Sequence, residues 1–392
     1  MDINFTRLWM ARNLLRTSNL GFSIFFMWEI IVIYHSVFLV SLLPALSLVG
    51  YLILTLPLGY VLDKISKSKI MFLFSILTFV IYATLVLFQS LYLIYGVDLL
   101  SFMLYMGSGD AYYSSIKELV TENELPKAMS FNAVGRAASE IAGTIMGGLS
   151  AYFVPKFFPV LLVIISLSCV FLSYPIKQDE KNKELFQKTY SYHQVWKVIR
   201  LMLPLLLLGL VVNGAFTALD VYSSALFHQI LHVSAIYYTL FLLTFSIGAF
   251  VGGILGGKVS EKLIDERFIS IITSAFGFAF VLIAFLRAPL LESTISFMIG
   301  IGISMVNIPL ETLMMRVIPK RIMGRTNSLI QVFLMGSSPL MAIFYGFVAT
   351  LIGIVNVLIL VGIFGVLLGI PTFFVIRDFK KVKESDVEKL IQ

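Results

Sequence analysis

Charge and cysteine are both scarce in this chain. Only 13% of its 392 residues are Asp, Glu, Lys or Arg, whereas soluble proteins carry about 25%, so an ordinary soluble domain is excluded. Cys169 is the single cysteine, which excludes an internal disulfide and a thiolate metal site. His228 and His232 are four residues apart, but two ligands are only a weak metal signal.

Motifs for cofactors and for catalysis are also missing. The sequence contains no phosphate-binding loop of the Walker type, which argues against an ATP-driven pump. It shows no evident serine, histidine and acid set either. We therefore expect neither a metal nor a cofactor, and not an enzyme. The net charge is +7, and the basic residues are distributed in the way expected of a protein at a membrane surface, as described below. We therefore predict no nucleic-acid partner.

Long apolar runs dominate the chain, which is 59% hydrophobic. A helix of about 20 apolar residues spans the hydrocarbon core of a bilayer, so the chain is predicted to be an all-α membrane protein with twelve spans. These are placed at 17–35, 37–62, 70–90, 91–113, 128–150, 157–175, 201–226, 235–257, 268–287, 290–314, 327–349 and 353–376.

Basic residues lie almost entirely on one side of this arrangement. With both termini in the cytoplasm, 26 of the 29 Lys and Arg residues fall in cytoplasmic segments, as the positive-inside rule requires. Arg136 lies within a span, and Lys156 and Arg287 lie outside. The pattern supports twelve spans in the cell membrane with both termini cytoplasmic.

An internal repeat divides the spans six and six. A shift of 198 residues places Gly59 on Gly257, Asp63 on Glu261 and Ser130 on Ser328. Two six-helix halves describe one major transporter architecture. We expect an N-terminal bundle at 1–176, a cytoplasmic linker at 177–200, a C-terminal bundle at 201–376 and a tail at 377–392. Nothing signals an oligomer, and a monomer is expected.

Charged residues inside spans are costly and must pair or face water. Those well inside the predicted spans are Glu29, Asp98, Asp110, Arg136, Glu140 and Asp220. Spans three, six, nine and twelve carry none. This distribution predicts that the first helix of each three-helix unit, together with span five, lines a central cavity.

Each candidate has a structural alternative. Arg136 and Glu140 are four residues apart and either neutralise each other or serve a ligand or a proton. Glu29 has no partner nearby in sequence, and an isolated buried carboxyl can exchange protons, although a hydrogen-bonded structural role is as well supported. Asp98 and Asp220 are candidate gate or cavity-mouth groups. Asp110, near the inner end of its span, is expected to pair with basic residues.

Uncharged residues complete the candidate cavity. Asn213, at the centre of span seven, is either a polar cavity contact or a residue that holds helices together. The aromatic candidates are Phe25, Phe26, Trp28 and Tyr105. With several acids and few bases, they favour a lipophilic or cationic solute.

Short motifs resemble those of the major facilitator superfamily. "GYVLDKISKSK" (59–69) is similar to the family's motif between spans two and three, with Gly59, Asp63, Lys64 and Lys67 matching and Ser66 in place of a glycine. "GGKVSEKLIDER" (256–267) resembles its second copy through Gly257, Glu261 and Lys262.

Two further windows resemble the antiporter branch and the drug and siderophore exporters of that family, respectively. "GTIMGG" (143–148) is similar to the antiporter motif in span five through Gly143, Gly147 and Gly148, with Thr144 in place of proline. Spacing of small residues also predicts close helix packing there. "RVIPKRIMGRTNSLIQV" (316–332), which includes Arg325, resembles the start of span eleven.

The resemblance implies alternating access, with the motif acids and bases acting as conformational latches, and it favours proton-coupled efflux. Three alternatives remain open: an importer of a nutrient or organic ion, a membrane sensor or scaffold without net flux, and an integral-membrane lipid enzyme.

Overall fold

The protein is described by a computed structural model that covers residues 3–64, 66–119, 125–174, 192–263, 265–318, 323–382 and 386–387. These residues form long α-helices and no strand, which confirms the predicted all-α class. The helices are α1 (Ile3–Tyr34), α2 (Val37–Lys64), α3 (Lys67–Leu87), α4 (Leu91–Leu119), α5 (Leu125–Phe153), α6 (Phe158–Leu172), α7 (Tyr192–Ala225), α8 (Ala235–Leu263), α9 (Glu266–Phe285), α10 (Pro289–Val317), α11 (Met323–Ile352) and α12 (Ile354–Phe379).

Most of these helices are long and apolar enough to cross a membrane. Within the described ranges, nine meet that criterion, and α2 and α11 contribute shorter apolar stretches, Val37–Tyr51 and Ser338–Ile352. The remaining helix, α5, contains Arg136, Glu140 and several small residues that reduce its hydropathy. The chain is therefore built as a multi-pass membrane protein.

Two helices begin two or more turns before their predicted spans. α1 starts at Ile3 rather than at residue 17, so its three arginines belong to a helix and not to a preceding loop. α7 starts at Tyr192, inside the segment predicted to be the linker. The hydropathy boundary marks where a helix enters lipid, whereas the helix itself continues into the polar region. Residues 175–191 of the linker region lie outside the described residues.

The contacts divide the described chain into two units. The first lies within 1–185 and also includes His232–Thr239, and the second lies within 186–231 and 240–392. In the first unit α1 packs on α5 and α3 on α6, and in the second α7 packs on α11 and α9 on α12. The two units therefore use equivalent helix pairs.

Helix positions follow the 198-residue offset found in the sequence. Moving α4 (Leu91–Leu119) by that offset places it on α10 (Pro289–Val317), and α3 falls on α9 within one residue at its start. Equivalent helix lengths and equivalent pairs in both units are what duplication of a six-helix unit would produce.

Small residues allow α1 and α5 to cross closely in the first unit. A Cβ atom at Gly147 would collide with the backbone of Gly21, and one at Gly143 would lie 2.9 Å from the carbonyl oxygen of Thr17. Ser139 Oγ donates a hydrogen bond to the carbonyl oxygen of Asn13 across the same crossing, at 3.0 Å. The small-residue spacing of α5 thus coincides with a close crossing, where neighbouring charges can meet.

Candidate functional site

An ion pair joins α1 to α5 beside that crossing. Arg16 donates a hydrogen bond from Nη2 to Glu140 Oε1, and the two side chains are 21% and 35% exposed, respectively. Arg136, the partner considered from the sequence, is exposed instead. Glu140 therefore meets a base 124 residues away in the chain rather than the one on its own helix, because α1 approaches α5 so closely.

A second arginine of α1 contacts α4. The guanidinium of Arg12 lies 4.0 Å from the ring centroid of Tyr105 and donates a hydrogen bond to that residue's carbonyl oxygen at 2.8 Å. Asp110 lies within electrostatic range of Arg12, as its position near the basic cytoplasmic side predicts. The Tyr105 ring is thus in contact with a cation of the protein itself.

A buried acid lies among hydroxyl groups in the same unit. Asp98 of α4 is 2% exposed, and Ser47 Oγ of α2 donates a hydrogen bond to its carboxyl group. The hydroxyl of Tyr82, on α3, is close to Ser101 and within electrostatic range of Asp98, yet it completes no hydrogen bond within the described structure. Three helices thus bring polar groups around one carboxyl, and no basic side chain of the described residues pairs with it.

The aromatic candidates of α1 are packing residues in this structure. Phe25 stacks on Phe158 of α6 with ring centroids 4.0 Å apart, and Phe26 packs edge-on against Phe25 at 5.0 Å. Trp28 stacks on Tyr238 at 5.4 Å. All three candidates are less than 7% exposed, so their faces are already covered by protein.

Glu29 occupies a different environment from its aromatic neighbours. It is half-buried, and the described residues provide it with no hydrogen bond or ion pair. An acid at this depth that lacks a partner is the kind of group that faces a solute or water pathway.

The second unit contains a cavity of about 220 Å³ between α7, α9, α10, α11 and α12. Asn213 of α7 lines it, as does Asn307 of α10, and the other lining residues are apolar apart from two threonines. Asn213 also donates a long hydrogen bond to the carbonyl oxygen of Leu334, at 3.4 Å. The amide is therefore both a helix-packing group and a cavity group, the two roles that its sequence position allows.

The acids of the second unit differ in exposure. Asp220 of α7 is exposed. Glu292, near the start of α10, is completely buried, and neither carboxyl oxygen has a hydrogen-bond partner in the described part of the chain. The sequence places Glu292 near a span end and gives no signal that it would be enclosed.

Most residues of the candidate latch motifs lie in parts of helices whose side chains the structure does not describe. These residues are Gly59, Asp63, Lys64, Gly257, Glu261, Lys262 and Arg325. Lys67 opens α3 and is half-buried. A Cβ atom at Gly148 would collide with Thr239, at the start of α8. The latch role of this set remains a prediction.

Sequence reasoning missed Arg12, Arg16, Ser47 and Asn307. Arg12 and Arg16 are one helical turn apart, so extending the periodicity of α1 past the hydropathy boundary would have placed both on one helix face. Ser47 and Asn307 give no such signal, since serine and asparagine are common in membrane helices.

The fold and these positions can be compared with known proteins. The sequence profile described as Major Facilitator Superfamily matches residues 8–340. The chain belongs to the major facilitator superfamily. No curated protein sequence matches the chain at a significant level. The family match confirms the predicted fold of the chain. Members of this superfamily are secondary transporters of small molecules and not enzymes.

Solved structures of this superfamily resemble the chain over nearly its full length. A bacterial homologue of the human lysosomal transporter Spinster is 14% identical, with a TM-score of 0.74 and coverage of 98% of this chain and 99% of that one. The nucleoside transporter NupG is 11% identical, with a TM-score of 0.74 and coverage of 95% and 99%. A D-xylose–proton symporter is 14% identical, with a TM-score of 0.69 and coverage of 94% and 96%. At these identities the likeness establishes the fold alone.

Proposed function

We propose that this major facilitator exports a small lipophilic or cationic solute in exchange for protons, by alternating access. It would act in the cell membrane as a monomer with both termini in the cytoplasm. The motifs of the drug and siderophore exporters support this direction of transport.

Asp98 carries the proposal of proton coupling. A buried carboxylate without a cation beside it is costly, and taking up a proton removes that cost. Ser47 donates a hydrogen bond to this carboxyl group, and the hydroxyl of Tyr82 lies within electrostatic range of it. We assign Asp98 as the first candidate for the coupling acid, with Glu29 as the second because it also lacks a described partner.

The other candidates have less suitable surroundings. Glu140 is held by Arg16, and a fixed cation stabilises the charged carboxylate, so we assign this pair to helix packing and conformational change. Asp220 is exposed and remains a candidate group at a cavity mouth. Arg136 is exposed as well, and an exposed base within a membrane helix suits a water-filled pathway.

Proteoliposomes test the proposal. A neutral lipophilic solute and a lipophilic cation would be tested in parallel, with a pH-sensitive dye inside, and the wild type should couple the movement of at least one of them to proton movement. Asp98→Asn should abolish the proton movement and leave downhill solute exchange, because an amide cannot carry a proton. If Asp98→Asn and Glu29→Gln each keep pH-driven flux, the coupling assignment is wrong.

The alternatives give different results in the same assay. An importer would accumulate solute with protons moving in the same direction, as the name of the D-xylose–proton symporter indicates for that neighbour. A sensor or scaffold would bind a ligand and show no flux with any solute.

A further inference from the structure

The cavity of the second unit differs in chemistry from the charged positions of the first. It lies among the helices of one unit, and none of the lining residues that the structure describes is charged. An engineered apolar cavity of about 150 Å³ already admits benzene, so the 220 Å³ present here can hold a ring with a polar substituent.

Among the described lining residues, the side-chain donors that a ligand in this cavity could use come from two amides. The hydroxyls of Thr273 and Thr372 donate to carbonyl oxygens of their own helices, Ile269 at 2.9 Å and Leu368 at 2.7 Å, so neither donor is available to a ligand. Asn213 uses one donor in its long bond to Leu334 and keeps a second donor and its acceptor. Asn307 is exposed and makes no hydrogen bond within the described residues.

A lining whose described residues carry no charge selects against ions. An ion placed here would lose hydration and gain no opposite charge from the described lining, which is far more costly than burying a neutral group that forms hydrogen bonds. Amides provide both a donor and an acceptor, so they pair well with a neutral amide, hydroxyl or heterocycle.

We propose that the cavity between α7, α9, α10, α11 and α12 binds a neutral, mainly apolar molecule through hydrogen bonds to Asn213 and Asn307. This inference rests on the proposed function and narrows its solute from lipophilic or cationic to neutral and lipophilic, with one polar group that both donates and accepts.

Three probes of nearly equal shape test the charge preference: benzamide, benzamidine and benzoate, which are neutral, cationic and anionic, respectively, at neutral pH. Binding to the full-length protein in nanodiscs would be measured by ligand-observed NMR. Benzamide should bind at least tenfold more tightly than either ion. Equal or tighter binding of benzamidine, or no binding of benzamide up to its solubility limit, would overturn the proposal.

Variants then locate the site. Asn307→Leu and Asn213→Leu should each weaken benzamide binding by about tenfold, because a hydrogen bond to a buried group is lost. Asn307→Asp should shift the preference towards benzamidine. Val212→Phe, which fills part of the cavity and keeps both amides, should also weaken binding. Unchanged benzamide affinity in all of these variants would show that the probe binds elsewhere.

The variant Asp98→Asn distinguishes a failure of the cavity proposal from a failure of the proposed proton coupling. Asp98 lies in the other unit, so the variant should abolish proton movement and leave the affinity for benzamide unchanged. Normal probe binding without proton coupling in the wild type would contradict the proposed function alone. Proton coupling without charge selectivity in binding would contradict the cavity proposal alone.

Discussion

At the scale of single residues, the partner of each charge decides what the charge can do. Glu140 has a basic residue one turn away on its own helix, yet it bonds to Arg16 of α1. Asp98 has a hydroxyl partner and no described base. Two acids of similar chemistry are thereby separated into a paired carboxylate and an isolated carboxyl, which supports one structural role and one proton-binding role.

The ion pair predicts non-additive effects on stability. Arg16→Gln and Glu140→Gln should each lower the Tm, and the double variant should lose less than the sum of the two, with a coupling free energy of about 1 kcal/mol. Thermal unfolding in nanodiscs measures this. Arg136→Gln combined with Glu140→Gln is the matched control and should be additive. Additivity in the Arg16 cycle would show that the pair contributes nothing.

At the scale of helices, small residues determine how closely pairs approach. The α1–α5 crossing brings Gly147 against the backbone of Gly21. In the second unit, Ser270 and Ser274 of α9 donate hydrogen bonds to carbonyl oxygens of α12 at 2.6 and 3.0 Å. α9 and α12 were predicted to be charge-free helices suited to lipid, and the structure shows that one side of each is used for this packing.

Gly147→Ala should destabilise the first unit. The added methyl group meets backbone atoms that cannot rotate away, and overpacking of this kind costs about 1–3 kcal/mol. The Tm should fall by several degrees. Gly96→Ala on α4 is the matched control, because a Cβ atom there meets nothing within 4 Å, and alanine favours a helix over glycine. An equal loss in both variants would mean that the crossing is not responsible, since helix propensity favours alanine at both positions.

At the scale of the whole molecule, twelve helices and a one-sided distribution of basic residues imply a defined topology. Lys69 and Arg267 precede or open helices on the side predicted to be cytoplasmic, and Lys156 and Arg287 lie on the opposite side. All four side chains are exposed. Because Cys169 is the single cysteine, replacing it gives a cysteine-free protein. A cysteine introduced at one chosen position can then be labelled to report the side of the membrane on which it lies.

In a Cys169→Ala background, Lys156→Cys and Arg287→Cys should react with a membrane-impermeant maleimide in intact cells. Lys69→Cys and Arg267→Cys should react only after permeabilisation, since the positive-inside rule places them in the cytoplasm. The Cys169→Ala protein without an introduced cysteine gives the background labelling. The reverse accessibility of the two pairs would invert the proposed topology.

The sequence by itself determined the membrane class, the helix count and the 198-residue offset, because apolar length, charge asymmetry and recurring residues are properties of the chain in order. The tertiary structure alone decided that Glu140 meets Arg16, that Asp98 meets Ser47, and that Asn213 and Asn307 line one cavity. Each of these pairs joins two different helices, and the two hydrogen-bonded pairs are 124 and 51 positions apart in the chain. They depend on how each helix is rotated and how closely it crosses its neighbour, which no local pattern specifies.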